Sequence, residues 1–383
     1  MPKKSFKIEI NPEVIKYLRE TSGWSIEEIA KKLKISIENY KEIEAGREFL
    51  TFQQIKQLSK LFQRPTSAFF LPQAPKELPI SSAFRVLPKT EKRISKELLL
   101  AIRKAQYYQS IVNEIILDLN ISFTPKIEKT KLEDNPIEVA IKERNESRIP
   151  IEKQYKFKDA YEAFNTWRKF IESKNILVFQ FKFPLEDARG FSLMDTLPYV
   201  IVINSQDNIL ARIFTLFHEY AHLILGIPEI YIQDSDTSKE IEKWCDTFAS
   251  EFLIPTKELE KNELFELLVK TEKVMPKIIE NLSREFKVSK KAILTKLMLL
   301  NVLSYEDYEE QKAKIESKIE SKKNQGKSII TPAKKCVQEK GEKFILTVLE
   351  SKEKGLITTQ DLLEFLSINY QNLDKLEKLL SKR

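Results

Sequence analysis

The sequence is poor in cysteine, histidine and glycine, and it has no long apolar run. Its 383 residues include two cysteines, two histidines and seven glycines. Cys245 and Cys336 are too few for a disulfide framework, which excludes the small disulfide-stapled secreted class. No apolar stretch approaches the ~20 residues that a membrane-spanning helix needs, and residues 1–4 lack the apolar core of a signal peptide. We therefore expect a cytoplasmic protein without a membrane partner.

Composition sets wide bounds on the remaining classes. The net charge is +7 and the hydrophobic content is 42%. A chain of this length is expected to form about two to four domains, and its apolar content is ample for folded cores. The mild positive charge permits contact with nucleic acid without demanding it.

Both histidines lie in one five-residue segment. His218 and His222 are four apart, and Glu219 follows the first directly. This spacing puts both imidazoles on one face of a helix, where they can reach one metal ion while Glu219 points towards a bound water. The pattern is the HExxH arrangement of zinc peptidases. The alternative is a pair of unrelated buried histidines on an apolar helix.

The flanking residues favour a buried helix around this segment. Residues 209–225 are mostly apolar, Asp207 or Asn208 is available as the N-cap, and Gly226 closes the end. Buried imidazoles need a polar partner, and a metal ion would supply one. We expect one zinc ion per chain.

A catalytic zinc site usually has a third protein ligand, which must come from elsewhere in the chain. Residues 240–255 form a second predicted helix on which Glu242 and Asp246 share a face. We predict that Glu242 is the third ligand and that Asp246 accepts a hydrogen bond from the outer nitrogen of a ligating histidine. Glu240 is an alternative ligand, and each carboxylate could instead be an exposed helix charge.

Part of the chain resembles the metallopeptidase domain of the ImmA/IrrE family. The resemblance covers roughly residues 150–260 and rests on four stretches in the family's order: Arg189 to Leu193, Tyr199 to Asn204, Phe214 to His222 and Glu242 to Pro255. It implies a small zincin-like domain in which His218, His222 and Glu242 hold zinc and Glu219 is the general base. It also implies a protein substrate, because members of the family are associated with cutting cytosolic transcriptional repressors.

Two short runs of β-branched and aromatic residues, 176–181 and 199–204, predict a small sheet beside the histidine helix. In zincins a peptide substrate adds itself to the edge of such a sheet. The segment Gly190, Phe191, Ser192 and Leu193 is the candidate edge strand. The alternative is an ordinary core strand.

Peptide hydrolysis also requires a group that stabilises the oxyanion. That group cannot be an imidazole, because the chain has no third histidine. Tyr199, Tyr231 and Arg189 are the candidates because they lie near the motif in sequence.

The N-terminal segment has a pattern of its own, with short apolar-faced helices joined by tight turns. Ser25 and Glu28 form a capping box, and Ser36 caps the next helix. Residues 12–72 resemble the XRE (Cro/C1-type) helix-turn-helix domain.

The resemblance implies a DNA-reading surface on this segment. Its candidate DNA-binding residues are Ser25, Ser36, Ile37, Glu38, Asn39 and Lys41, with the recognition helix starting at Ser36. From Ser25 to Arg47, however, five basic residues balance five glutamates. DNA is therefore a predicted partner, and protein contact or dimerisation is the alternative use.

The predicted fold class is α+β and mostly helical. The predicted units are a helix-turn-helix domain at 8–73, a helical connector at 74–150, a zincin-like peptidase domain with a short sheet at 151–262, a helical extension packing on the peptidase at 263–325, and a small C-terminal helical unit at 326–383. In the connector, residues 95–120 predict a long amphipathic helix whose apolar stripe is either core or a homodimer seam.

These observations predict a cytoplasmic zinc-dependent endopeptidase fused to a helix-turn-helix domain. It would hydrolyse a peptide bond in a partner repressor or antitoxin as part of a regulatory switch. The alternative is a DNA-binding transcriptional regulator in which the zinc domain is a sensor or docking module with little turnover.

Overall fold

The computed structural model describes residues 6–74, 95–227, 236–271, 275–320 and 330–381. The N-terminal unit contains β1 (Lys7–Ile8), α1 (Pro12–Thr21), α2 (Ile26–Leu33), α3 (Ile37–Glu44), β2 (Leu50–Thr51), α4 (Phe52–Phe62) and a 3-10 turn (Thr66–Phe70). Within the described ranges, no helix is both long enough and apolar enough to cross a membrane.

Side-chain caps fix where the N-terminal helices begin. Ser25 accepts from the amide of Glu28 at 3.1 Å while the Glu28 carboxylate accepts from the amide of Ser25 at 3.0 Å, which is the predicted capping box. Ser36 caps α3 by accepting from the amide of Asn39 at 3.1 Å. A largely buried ion pair between Arg19 Nε and Glu44 Oε1, 2.6 Å apart, ties α1 to α3.

The rest of the chain is mostly helical around one small sheet. In chain order it contains α5 (Lys96–Leu119), α6 (Pro136–Glu146), α7 (Ile151–Tyr155), α8 (Ala160–Ser173), β3 (Ile176–Phe181), β4 (Gly190–Leu193), β5 (Tyr199–Asn204), α9 (Ile209–Leu225), α10 (Asp236–Leu253), α11 (Thr256–Leu259), α12 (Glu263–Thr271), α13 (Pro276–Glu285), α14 (Lys290–Leu299), α15 (Tyr305–Glu320), α16 (Pro332–Glu353), α17 (Thr359–Leu366), a 3-10 turn (Tyr370–Asn372) and α18 (Leu373–Leu380). The predicted α+β, mostly helical fold class is confirmed.

The sheet has the order β3-β5-β4, so β5 is central and β4 lies at an edge. Strand β5 is parallel to β3 and antiparallel to β4, with Gly190 opposite Ile203. Alternate residues of β5 face opposite sides, and both sides are covered. Ile201 and Ile203 belong to one core, whereas Val200 and Val202 belong to another.

The first core joins the sheet to α8, α9 and α10, and it continues into α13, α14 and α15. At its centre the rings of Phe217 and Phe252 stack with centroids 4.0 Å apart. Lys296 of α14 forms a buried ion pair with Glu251 of α10, and its Nζ also donates to Thr256 Oγ1 at 2.8 Å. The region after residue 263 therefore shares its core with the sheet and the histidine helix.

The second core covers the opposite face of the sheet and combines α5 with α16, α17 and α18. The ring of Tyr108 on α5 lies 5.0 Å from Phe344 on α16. Ile102 and Val112 of the apolar stripe are at most 1% exposed. These contacts bury the stripe within the chain, which favours the core alternative over the homodimer seam.

Candidate active site

Both histidines lie on α9, the central helix of the first core. Its N-cap is Asn208, whose side chain accepts from the amide of Leu210 at 2.9 Å, and it ends at Gly226 with a left-handed φ of 72°. This helix is buried along most of its length because its residues are apolar on nearly every side. His222 is fully buried and His218 largely so.

Helix α10 crosses beside α9 and brings Glu242 to the two imidazoles. The Nε2 atoms of His218 and His222 are 3.3 Å apart. Glu242 Oε2 lies 3.2 Å from His218 Nε2, and Glu242 Oε1 lies 3.4 Å from His222 Nε2. Within the described residues this is the one group of histidine, cysteine and acidic side chains whose ligand atoms converge, all within 4.8 Å of one another. Glu240, the alternative ligand, is exposed and outside the group.

The outer nitrogens of both rings have hydrogen-bond acceptors. His218 Nδ1 lies 2.9 Å from Asp246 Oδ1, and His222 Nδ1 lies 2.9 Å from the carbonyl oxygen of Ile227. The carbonyl oxygen of Ile227 can only accept a hydrogen bond. In the neutral form of His222 the proton is therefore on Nδ1, and the lone pair of Nε2 faces Glu242. Asp246 favours the same tautomer in His218.

The converging atoms attract positive charge. With both rings in these tautomers, two nitrogen lone pairs and a carboxylate face one another at 3.2 to 3.4 Å, which is repulsive unless a cation lies between them. Burial lowers the pKa of His218, but hydrogen bonds to Asp246 and Glu242 outweigh it and raise that pKa well above its usual value. Burial raises the pKa of Glu242, but hydrogen bonds to the histidines outweigh it and lower that pKa well below its usual range. Two nitrogens and one oxygen are donors that suit zinc with a further position open.

Strand β4 approaches α9 closely at Glu219. A Cβ atom on Gly190 would lie 2.7 Å from Thr215 Cγ2, 3.0 Å from the carbonyl oxygen of Val202 and 3.2 Å from Glu219 Cγ. Only glycine fits this contact without displacing the neighbouring side chains. The Glu219 side chain is 1% exposed, so the strand and the helix together fix its place beside His218.

A cavity of about 230 Å³ opens beside His218 and Glu219. Arg189 and Gly190 border it on the sheet side, and Phe214 and Thr215 continue the wall along α9. Residues of α14 and Tyr308 of α15 form the opposite wall. The cavity therefore joins the candidate metal ligand His218 to the start of β4.

The three residues predicted to stabilise the oxyanion lie in different parts of the chain relative to the cavity. Arg189 borders the cavity, but its Nη1 is paired with Asp207 Oδ2 at 2.6 Å. Tyr199 lies outside the cavity lining, with Lys129 Nζ 4.9 Å over its ring. Tyr231 lies outside the described residues. Sequence proximity did not point to Tyr308, which reaches the cavity only through packing of α15.

The candidate substrate strand, β4, does occupy an edge of the described sheet. Gly190 and Ser192 share the face towards α9, whereas Phe191 and Leu193 are part of the second core. All four residues are buried, so only the backbone edge of the strand is suited to pair with a peptide. Its role in substrate binding stays a prediction.

The candidate DNA-reading residues lie on and before α3. Ser36, Glu38, Asn39 and Lys41 are exposed, whereas Ser25 is half-buried in its capping box. Their role stays a prediction. Ile37 is half-buried and packs against the core of the N-terminal unit, which makes it a weaker candidate for reading a base.

Two family models match the chain. Residues 171–298 match a peptidase family model described as the IrrE N-terminal-like domain, and residues 15–69 match a helix-turn-helix model. The first match contains the sheet, both candidate ligand helices and most of α14, and the second contains α2 and α3. No curated protein matches the chain. Both resemblances predicted from the sequence are thereby confirmed.

Proposed function

We propose that this chain, which combines an IrrE-type peptidase region with a helix-turn-helix region, is a zinc-dependent endopeptidase that cuts a partner transcriptional repressor or antitoxin. The observation that carries the proposal is the group formed by His218, His222 and Glu242, with ligand atoms within 4.8 Å and outer nitrogens already oriented. The peptidase family match supports hydrolysis as the reaction.

The roles of the side chains follow from their positions. A zinc ion held by His218, His222 and Glu242 would supply Lewis acidity to an attacking water and to the scissile carbonyl. Glu219, buried next to His218, would take a proton from the water and pass it to the leaving amine. Asp246 and the carbonyl of Ile227 would keep the two imidazoles in the ligating tautomer.

The edge position of β4 in the described sheet supports an extended protein substrate. A peptide that paired with this edge would run past Gly190, where the strand meets Glu219. The cavity beside His218 would then accept a side chain next to the scissile bond.

The test uses purified full-length protein and the purified products of the genes adjacent to its own. We expect a discrete cut in one of them that a chelator abolishes and zinc restores. Glu219→Gln should retain zinc but cut at least about a hundredfold more slowly, because it lacks the general base. His222→Ala should lose zinc and cutting together.

Glu240→Gln is the matched control, since Glu240 is an exposed carboxylate on the ligand helix outside the converging group. It should retain both zinc and cutting. An unchanged cutting rate in Glu219→Gln would rule out the mechanism. A protein that binds zinc tightly but cuts none of these partners would favour the alternative, a regulator whose zinc domain is a sensor or docking module.

A further inference from the structure

The wall of the cavity opposite β4 comes from a different part of the chain. Ser289, Ala292 and Thr295 on or next to α14 line it, together with Tyr308 of α15. Both helices belong to the same core as α9. The buried pair of Lys296 and Glu251 ties α14 to the end of α10.

Tyr308 is a largely buried hydrogen-bond donor in that wall. Tyr308 is 8% exposed, and both Tyr308 and Thr295 line the cavity. Burial raises the pKa of Tyr308, and Asp246 raises it further, against the opposing effects of Thr295 and Lys312. The phenol is therefore protonated at neutral pH, and a neutral phenol can donate its hydrogen.

Asp246, His218 and Tyr308 border the same cavity. The same carboxylate that accepts from His218 Nδ1 at 2.9 Å also acts electrostatically on the phenol. Tyr308 and His218 thus border the same cavity and share a neighbouring charge.

Other donors around the cavity are less suited to the task. Arg189 is paired with Asp207, and Thr215 Oγ1 donates to the carbonyl of Ala211 at 3.2 Å. Lys291 is half-exposed on a long flexible stem, whereas stabilising a developing charge favours a donor whose position is fixed before the reaction.

We propose that Tyr308 donates the hydrogen bond that stabilises the oxyanion when water attacks the scissile carbonyl. The carbonyl oxygen gains the negative charge, the phenol keeps its proton, and no covalent bond to Tyr308 forms. The proposal rests on the proposed endopeptidase function and adds to it a residue beyond the 171–298 family match.

The experiment measures cleavage of a defined peptide library by the full-length zinc-loaded protein, followed by kinetics on the peptide cut best. Tyr308→Phe should lower kcat by about 10² to 10³ fold with KM and zinc content unchanged, because it removes one donor that acts in the transition state. Tyr305→Phe is the matched control: it removes a hydroxyl from the same helix, from a tyrosine that is 69% exposed, and should leave kcat unchanged.

A second measurement does not depend on turnover. A phosphinic pseudo-tripeptide with alanine side chains imitates the tetrahedral intermediate, whereas acetohydroxamate only ligates the metal. Tyr308→Phe should bind the phosphinic compound at least about tenfold more weakly and acetohydroxamate equally well, as measured by calorimetry. Thr295→Val, which removes a hydroxyl from the same cavity wall, should give a smaller loss in the same direction.

The outcomes separate this proposal from the proposed function. If the wild type cuts, Glu219→Gln does not, and Tyr308→Phe cuts at the wild-type rate, the assignment of Tyr308 is wrong and the peptidase function stands. A raised KM with unchanged kcat would also overturn it, because Tyr308 would then bind the ground state. If the wild type cuts no peptide and no partner, the proposed function fails and the role of Tyr308 fails with it.

Discussion

Asp246 accepts a hydrogen bond from Nδ1 of His218, and the carbonyl of Ile227 accepts one from Nδ1 of His222. The two acceptors differ in chemistry. The backbone carbonyl is neutral and comes directly after the end of α9, whereas Asp246 is a charged side chain on another helix. A carboxylate makes the imidazole a stronger electron donor and aligns its ring. The orientation of His222 is thus local to its own helix, and that of His218 depends on helix packing.

We expect Asp246→Asn to weaken zinc binding by about 10 to 100 fold, because the amide can accept the hydrogen bond but lacks the charge. Competition with a chelating dye measures the affinity. Asp236→Asn, at an exposed position on the same helix, should leave it unchanged. Equal zinc affinities for Asp246→Asn and the wild type would show that Asp246 does not support the metal ligand.

Gly190 shows which part of a residue's role can be predicted from the sequence and which part cannot. In a chain with seven glycines, a glycine beside the predicted site indicates a special backbone position. The structure gives the reason, which is steric: the space of its Cβ is taken by Thr215, Val202 and Glu219. The sequence could not identify these neighbours, because they lie on another strand and another helix.

At the scale of elements, α16 contains a break that its sequence gives little indication of. Gly341 has φ 78° and ψ 163°, so the helix runs as two segments. Arg168 Nη1 donates to the carbonyls of Val337 at 3.1 Å and Gln338 at 2.7 Å before the break, and Glu172 Oε2 accepts from the amide of Lys343 at 3.3 Å after it. A buried ion pair on α8 therefore satisfies backbone groups on both sides of the break.

Gly341→Ala should destabilise the protein by about 3 kcal/mol or more, because an added Cβ would lie 2.0 Å from Glu172 Oε1 and disturb the buried pair. Chemical denaturation followed by circular dichroism measures the free energy of unfolding. Gly355→Ala is the matched control, since its φ is also positive at 75° but no atom lies within 4 Å of the added Cβ. It should cost about 1 kcal/mol. Equal losses for the two variants would contradict the role of Gly341 as the contact point with Glu172.

Helix starts, in contrast to this break, were predictable. Ser25 and Ser36 cap the helices that the sequence assigned to them. Asp159 likewise caps α8 by accepting from the amides of Tyr161 and Glu162 at 2.9 Å. Each capping side chain bonds to a backbone amide at most three residues later, so the local sequence is sufficient to predict where the helix begins.

At the scale of the whole molecule, the helix-turn-helix unit has its own core and touches the rest through the start of α5. Lys96 forms an ion pair with Glu28 and lies 3.8 Å over the ring of Trp24. These contacts include an ion pair and a cation–π contact, whereas continuous apolar cores surround the sheet. The helix-turn-helix match suggests DNA as the partner of this unit.

We expect the full-length protein to retard DNA from its own upstream region in a mobility-shift assay. Affinity should fall when salt rises from about 50 to about 200 mM, because phosphate contacts release counterions. Lys41→Ala, at an exposed position on α3, should weaken binding, and Lys60→Ala, exposed on α4, should not. No shift on any promoter DNA, including its own, would indicate that the unit serves protein contact instead.

The sequence by itself determined the local parts of this protein. The four-residue spacing puts His218 and His222 on one face of a helix wherever that helix packs, and the serine caps act within one turn. The two family resemblances could also be identified from the sequence, because each depends on short contiguous motifs.

Only the tertiary structure decided which distant groups meet. Crossing of α9 and α10 brought Glu242 rather than Glu240 to the imidazoles, and packing of α15 brought Tyr308 to the cavity wall. These choices depend on how whole helices fill the cores on the two faces of the sheet. Apolar burial is non-directional, so no single segment specifies its partner, and the arrangement follows from the packing of all of them together.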